Sequence, residues 1–207
     1  LTPFLLMDQL PGNTLPNPYG GTGQPALPWR GRIIASSAGD VSAFVGTAAP
    51  ADFTAAGESV TYTGPAEWSY RRFILHHAAL AKAAGGVDAF VIGSEMRELT
   101  SSRISGSYPF VAALVSIAAD VKAMLGAGTK IVYAADWSEF PPRQTSTPGE
   151  LFFHLDPLWS SSDVDAIGID AYWPLADWRD GRTHTDYVAG ARSIYDRSYL
   201  QSNVQGG

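Results

Sequence analysis

The sequence predicts an α/β fold in which parallel strands alternate with crossover helices, and three observations carry that expectation. Four short apolar runs read as buried strands: Phe4 to Met7, Ala89 to Ile92, Lys130 to Ala134 and Ala166 to Ile169, each bounded by polar or Gly residues. Amphipathic stretches at helical spacing lie between the later ones. Those later strands begin about 35 to 45 residues apart, which leaves room for one helix in each gap. Doubly wound sheets and (β/α)8 barrels both satisfy this alternation. A dinucleotide-binding sheet would carry a Gly-rich turn between a strand and its helix, whereas Gly20-Gly21-Thr22-Gly23 follows a Pro-rich loop and enters no helix; it reads as a turn.

The first strand, Phe4 to Met7, ends at Asp8-Gln9. From Pro11 to Thr63 runs a long excursion rich in Pro, Gly, Ala and Ser, with Trp29-Arg30-Gly31-Arg32-Ile33-Ile34 in its middle. A connection of that length is either a functional lid or a partly ordered insertion. A helix is expected from about Pro65 to Ala84, with Trp68, Phe73, Ile74, His77, Leu80 and Ala81 inward and Gly85-Gly86 ending it. The strand that follows delivers Glu95 at its C-terminal end. Phe110, Val111, Leu114, Val115, Ile117, Ala118, Val121, Met124 and Leu125 then recur at helical spacing within Tyr108 to Leu125. Pro109 suits the first turn of that helix and Gly126 the left-handed stop after its last. Beyond the third strand, a short helix around Leu151 to Trp159 leads into the fourth.

The chain has 207 residues, 45% of them hydrophobic, enough for one domain over 1–207 with the 11–63 excursion inside it. Net charge is -6 and no run of like charges exists, so no nucleic-acid footprint is present. The sequence contains no cysteine, which excludes disulfides and thiolate metal sites. Its apolar stretches are interrupted before the roughly 18 residues that a membrane span needs. The first residues lack the basic start and cleavage pattern of a signal peptide. Both ends read as cut, because the chain opens on a core strand where a natural terminus is usually polar and frayed.

Three strand ends change abruptly from apolar to polar or aromatic: Ser94-Glu95, Asp136-Trp137-Ser138-Glu139 and Asp170-Ala171-Tyr172-Trp173. That is the pattern of a barrel whose strand bodies are packing and whose C-terminal strand tips line a pocket. Carboxylates combined with Trp and Tyr point to sugar chemistry. Glycoside hydrolysis needs one carboxylic acid to protonate the leaving oxygen and a second carboxylate to attack the anomeric carbon or activate water. Glu95 is the candidate general acid/base, since the apolar strand beneath it desolvates the carboxyl and favours the acid form. Trp137, Tyr172 and Trp173 are candidate platforms for sugar C–H faces. Asp8, Glu139 and Asp170 complete the candidate substrate-binding set, with Glu139 and Asp170 also candidates for the second carboxylate.

Each of these has a plainer reading. Glu139 precedes Phe140-Pro141-Pro142 and suits the start of a loop; Asp170 suits a hydrogen bond to neighbouring backbone, or a role in orienting Glu95. Glu98 reads as a helix-start carboxylate facing water. The four histidines share no liganding spacing, so neither a metal nor another cofactor is expected. Arg30 and Arg32 either bind an acidic sugar or tie the excursion to an Asp, and the tie is the favoured reading.

Several long strings occur in the order of a known domain: Pro25 to Ile33 with its Pro28-Trp29-Arg30-Gly31-Arg32, Tyr70 to His77, Ala84 to Thr100, Tyr133 to Glu139, Phe153 to Trp159, Asp165 to Leu175 and Tyr199 to Val204. Together they resemble the TIM-barrel-like domain of gene transfer agent and phage tail-tip (baseplate) proteins. The resemblance implies a (β/α)8 barrel, of which about the third to sixth strands lie in this chain. That family is similar in turn to retaining glycoside hydrolases with an acid/base Glu after the fourth strand and a nucleophile Glu after the seventh. Glu95 matches the first position, and the second falls beyond Gly207. The resemblance further implies a tail-tip setting, made in the bacterial cytoplasm, with a cell-envelope polysaccharide such as peptidoglycan or capsule and other tail or baseplate proteins as partners. A catalytically silent structural or glycan-binding barrel is the alternative. A metal-dependent barrel hydrolase is a more distant one.

Overall fold

A computed structural model describes residues 1–6, 29–144, 148–172, 175–176 and 178–206. Within it the chain forms two compact units, Leu1–Asp170 and Ala171–Gly207.

After a 3-10 turn at Arg30–Arg32, the first unit contains α1 (Ala38–Val45), β1 (Phe53–Ala56), β2 (Ser59–Tyr62), α2 (Tyr70–Ala83), β3 (Ala89–Ser94), α3 (Arg97–Thr100) and α4 (Pro109–Leu125). It continues with β4 (Lys130–Asp136), β5 (Arg143–Gln144), β6 (Leu151–Phe152), α5 (Asp156–Trp159) and β7 (Ala166–Asp170). β1 and β2 form an antiparallel hairpin, as do the two-residue strands β5 and β6. The sheet that matters for function is parallel, three-stranded and ordered β3-β4-β7. Among the described residues it does not close into a barrel, so the chain presents part of one.

The expected helix boundaries are seen where capping chemistry is strong. Pro109 opens α4, and Gly126 follows it at φ 86°, a conformation open to Gly at no steric cost. Arg71 joins Asp120 in an ion pair that pins α2 to α4. On the sheet, Phe90, Ile92, Ile131, Tyr133 and Ala135 share one face and are buried in the same core as Ile74, Leu75, Leu114 and Ile117 of the helices. The opposite face carries the half-buried Val91, Val132, Ala134 and Gly168. On β7 the helix-side residues Ile167 and Ile169 are exposed.

Three expectations require correction. Residues 4–6 form no strand, and Met7 lies outside the described residues. Leu1 does begin a parallel ladder, donating its nitrogen to Ala89 O at 2.7 Å and accepting from Val91 N at 2.9 Å. Pro3 then has no N–H to offer at the next ladder position, and Phe4 and Leu6 turn outward. Trp68 is 94% exposed rather than inward. The reason is that α2 starts only at Tyr70, behind the N-cap Ser69 whose Oγ accepts from Arg72 N at 3.2 Å, so Trp68 falls outside the helical period. It stacks instead on the Arg72 guanidinium, 4.2 Å away. The helix expected over Leu151 to Trp159 shrinks to α5, because Leu151 and Phe152 pair with β5.

The second unit holds α6 (Thr185–Val188) and α7 (Arg197–Gly206). Trp178 packs its ring on His184 and Tyr199, and the Tyr199 hydroxyl donates to Asp186 at 2.7 Å.

Gly93 is the tightest point of β3. A Cβ there would lie 2.4 Å from the Tyr70 hydroxyl and 2.9 Å from Met96 Cε, and that hydroxyl is itself committed to Ile92 O at 2.6 Å. Gly93→Ala is therefore expected to lower the urea midpoint, corresponding to a loss of about 1–3 kcal/mol from overpacking. An unchanged midpoint would mean that Tyr70 and Met96 yield freely.

Candidate active site at the strand ends

The C-terminal ends of the three parallel strands bring Glu95, Asp136 and Asp170 to one edge of the sheet. Asp136 pairs directly with Asp170, and Ser94 pairs with Ala134. Between Val91 and Ser94 the register slips by one residue, a bulge that turns the end of β3 and re-aims the side chain after it. Glu95 completes the turn at φ 54°, in the left-handed region that costs a residue with a Cβ roughly 1–2 kcal/mol. Such a backbone persists only where its surroundings over-determine it. Here Glu95 N donates to Ala134 O at 2.8 Å, and the next amide, Met96 N, donates to the Tyr133 hydroxyl at 3.0 Å.

The Glu95 side chain is also held, by residues far away in sequence. Trp29 Nε1 donates to Oε2 at 2.7 Å, and Arg30 Nη2 donates to the same oxygen at 2.9 Å. Arg30 is 6% exposed and spends its remaining reach on Ser94, through Nε to the carbonyl at 2.6 Å and Nη2 to Oγ at 2.8 Å. Ser94 Oγ in turn donates to Asp170 Oδ2 at 2.8 Å. The tie expected of Arg30 therefore exists, but its partner is Glu95, and Asp170 is reached only through the Ser94 hydroxyl. The 3-10 turn carrying these residues packs on α3, and Gly31 is required there because a Cβ would meet the Trp29 ring at 2.4 Å. Both Glu95 bonds fall on Oε2.

Glu139 lies elsewhere than at the solvent-facing edge. It is 0% exposed: Oε1 accepts from Thr100 Oγ1 at 2.6 Å and Tyr133 Oη at 2.7 Å, while Oε2 accepts from Asp136 N at 3.0 Å. Burial pushes its carboxyl up to about 7 against the opposing effect of these three donors. Asp136, 7% exposed, accepts from Ser138 N at 2.9 Å and from the Ser138 hydroxyl. Asp170 is half-buried. Trp137 stands 42% exposed just after β4. Tyr172 belongs to the second unit and is 73% exposed. Asp8 and Trp173 lie outside the described residues. Glu98 is half-buried and pairs with Arg97 at 3.3 Å. Among the described residues, no group of three or more His, Cys, Asp or Glu is placed to hold a metal ion.

Residues 68–207 match the GTA TIM-barrel-like domain. The chain belongs to this family. No curated protein matches it. For a GTA TIM-barrel-like domain, the parallel β3-β4-β7 sheet with its helices is a segment of the barrel wall, and the carboxylates described above sit at the end where barrel sites are built. GTA denotes gene transfer agent.

Tyr133 and Thr100 lie in strings that carry the family resemblance, but nothing in a Tyr inside a strand or a Thr in a short helix marks them as partners of Glu139. The Trp29-Arg30-Gly31-Arg32 string was a signal, standing out from its Pro- and Ala-rich surroundings, but its partner was not.

The Glu139 proton has a consequence for stability. From the ordinary carboxylate range up to about 7, the folded protein keeps a proton that the unfolded chain has released, so this group lowers stability as pH rises through that window. Between about pH 5 and 8, the melting temperature of the wild type is expected to fall by several degrees more than that of Glu139→Gln. Parallel curves would refute the assignment.

Proposed function

We propose that this domain is a glycoside-hydrolase-like component of a phage-tail-like gene transfer agent particle, acting on a polysaccharide of the bacterial cell envelope. Glu95 is its general acid/base, and the second carboxylate, the nucleophile of a retaining O-glycosidase, comes from the position after the seventh strand of the barrel. The observation that carries the reading is Glu95 itself: a carboxylate at a parallel strand end, on a bulged and left-handed backbone, whose Oε2 is fixed by Trp29 and Arg30. Strain of this kind concentrates at working sites. Fixing one oxygen leaves Oε1 to exchange a proton with a glycosidic oxygen.

Asp170 is placed to position rather than react, since its bond to Ser94 Oγ feeds into the Arg30 contacts. Trp137 offers the described aromatic face next to the strand ends, and Tyr172, Asp8 and Trp173 remain proposed sugar contacts. Within the particle, the tail tip or baseplate and its other proteins are the proposed setting. No described helix is long and apolar enough to cross a membrane.

One observation favours a silent glycan-binding or structural barrel instead. The buried Arg30–Glu95 ion pair gives Glu95 a structural task of its own, anchoring the excursion on the strand end. The two readings separate in the full-length protein assayed on bacterial wall and capsule material. Glu95→Gln is expected to lower hydrolysis by roughly 10²–10⁴-fold with glycan binding retained. Equal activity in both proteins would remove Glu95 from the mechanism, and binding without hydrolysis in either would establish the silent barrel.

A further inference from the structure

Glu139 has no face toward solvent, yet it is the hub at which three segments of the site meet. Its Oε2 holds the backbone N–H of Asp136 at the end of β4, and its Oε1 holds Thr100 on α3. The third bond reaches Glu95. Tyr133 Oη has a single proton, which it gives to Glu139 Oε1 at 2.7 Å, so the lone pairs of the phenol face Met96 N at 3.0 Å. That amide belongs to the peptide immediately after Glu95, whose φ of 54° has to be held in place.

A carboxylate suits this arrangement better than a carboxylic acid does. All three contacts are donors, and the anion accepts them all. A proton on Oε2 would face the Asp136 N–H, donor against donor; a proton on Oε1 is taken up by Thr100 Oγ1, which can accept it while turning its own proton to Arg97 O at 3.2 Å. Protonation therefore reverses the Thr100 bond and leaves the Tyr133 and Asp136 donors facing a neutral carboxyl, a weaker acceptor than the anion. No cation pairs with Glu139 among the described residues. The titratable groups facing it are Asp136, of like charge, and the phenols Tyr133 and Tyr70, both held neutral by burial. Arg30 is engaged by Glu95 and Ser94.

We propose that Glu139 is a positioning residue for the strand-end site, fixing the backbones at Glu95 and Asp136 through hydrogen bonds that weaken when it takes a proton. Its importance for catalysis rests on the reading of Glu95 as acid/base, but the coupling itself does not. Burial places the titration near 7, within the range of ordinary pH changes. Local order and global stability then respond in opposite senses: ionisation strengthens the network at the site while it lowers the stability of the fold.

The test follows the Met96 amide in full-length protein labelled with ¹⁵N-methionine, assigned by comparison with Met96→Leu. In the wild type this resonance is expected to move with a single midpoint near 7, and in Glu139→Gln to stay flat between about pH 5 and 9. Tyr133→Phe, which keeps the ring and removes the relay, is expected to abolish the Met96 titration too. A Met96 amide that does not titrate in the wild type, or that titrates alike in wild type and Glu139→Gln, overturns the proposal. If the amide behaves as expected while Glu95→Gln leaves hydrolysis intact, the positioning role stands and the acid/base reading falls.

Discussion

Tyr133 carries the geometry of the strand ends. Its ring is fully buried against the helices, and its hydroxyl lies between Met96 N and Glu139 Oε1. The ring fits because Gly93 on the neighbouring strand has no side chain: a Cβ there would come within 3.2 Å of it, and nearer still to the Tyr70 hydroxyl. A buried phenol in that position needs a partner for its proton. Glu139 supplies one, and the cost is a carboxylate removed from water. The left-handed turn at Glu95 and the tight turn from Asp136 to Glu139 are both tied into this buried polar cluster.

The second hold on Glu95 comes from outside the barrel wall. Trp29 and Arg30 sit on the excursion that interrupts the strand and helix alternation, and together they bind Glu95 Oε2. Arg30 is the more demanding of the two. A guanidinium buried to this extent requires partners for its donors, and Ser94 and Glu95 meet those on Nε and Nη2. The excursion is thus part of the site's construction, with Ser94 passing the contact on to Asp170.

Much of the fold was legible in the sequence for simple physical reasons. β3, β4 and β7 are nearly uninterrupted apolar runs that end at a carboxylate or one residue before it, the pattern expected of strands in a parallel sheet. α4 announces itself through Pro109, Gly126 and nine apolar residues at helical spacing. The misses arise where a local feature overrode a periodic one. Pro3 breaks a ladder that an apolar pattern promised, and Ser69 starts α2 after Trp68 rather than before it. Glu139 was misleading for a different reason. A Glu ahead of Phe140-Pro141-Pro142 reads as a loop residue, and nothing nearby reveals that Thr100, 39 residues upstream, turns it into a buried acceptor. Likewise Glu95 was legible as a strand-end carboxylate, while Trp29, 66 residues away, was not legible as its partner.

These observations describe a member of the GTA TIM-barrel-like domain family in which one carboxylate is presented under strain and secured from two sides. The most direct test of that account is a crystal structure of the full-length protein with an oligosaccharide from the bacterial cell envelope bound. The expected complex has a sugar ring over Trp137 and a glycosidic oxygen within hydrogen-bond distance of Glu95 Oε1, with Trp29 and Arg30 still on Oε2. A saccharide bound away from these strand ends, or one that reaches them without contacting Glu95, would contradict it.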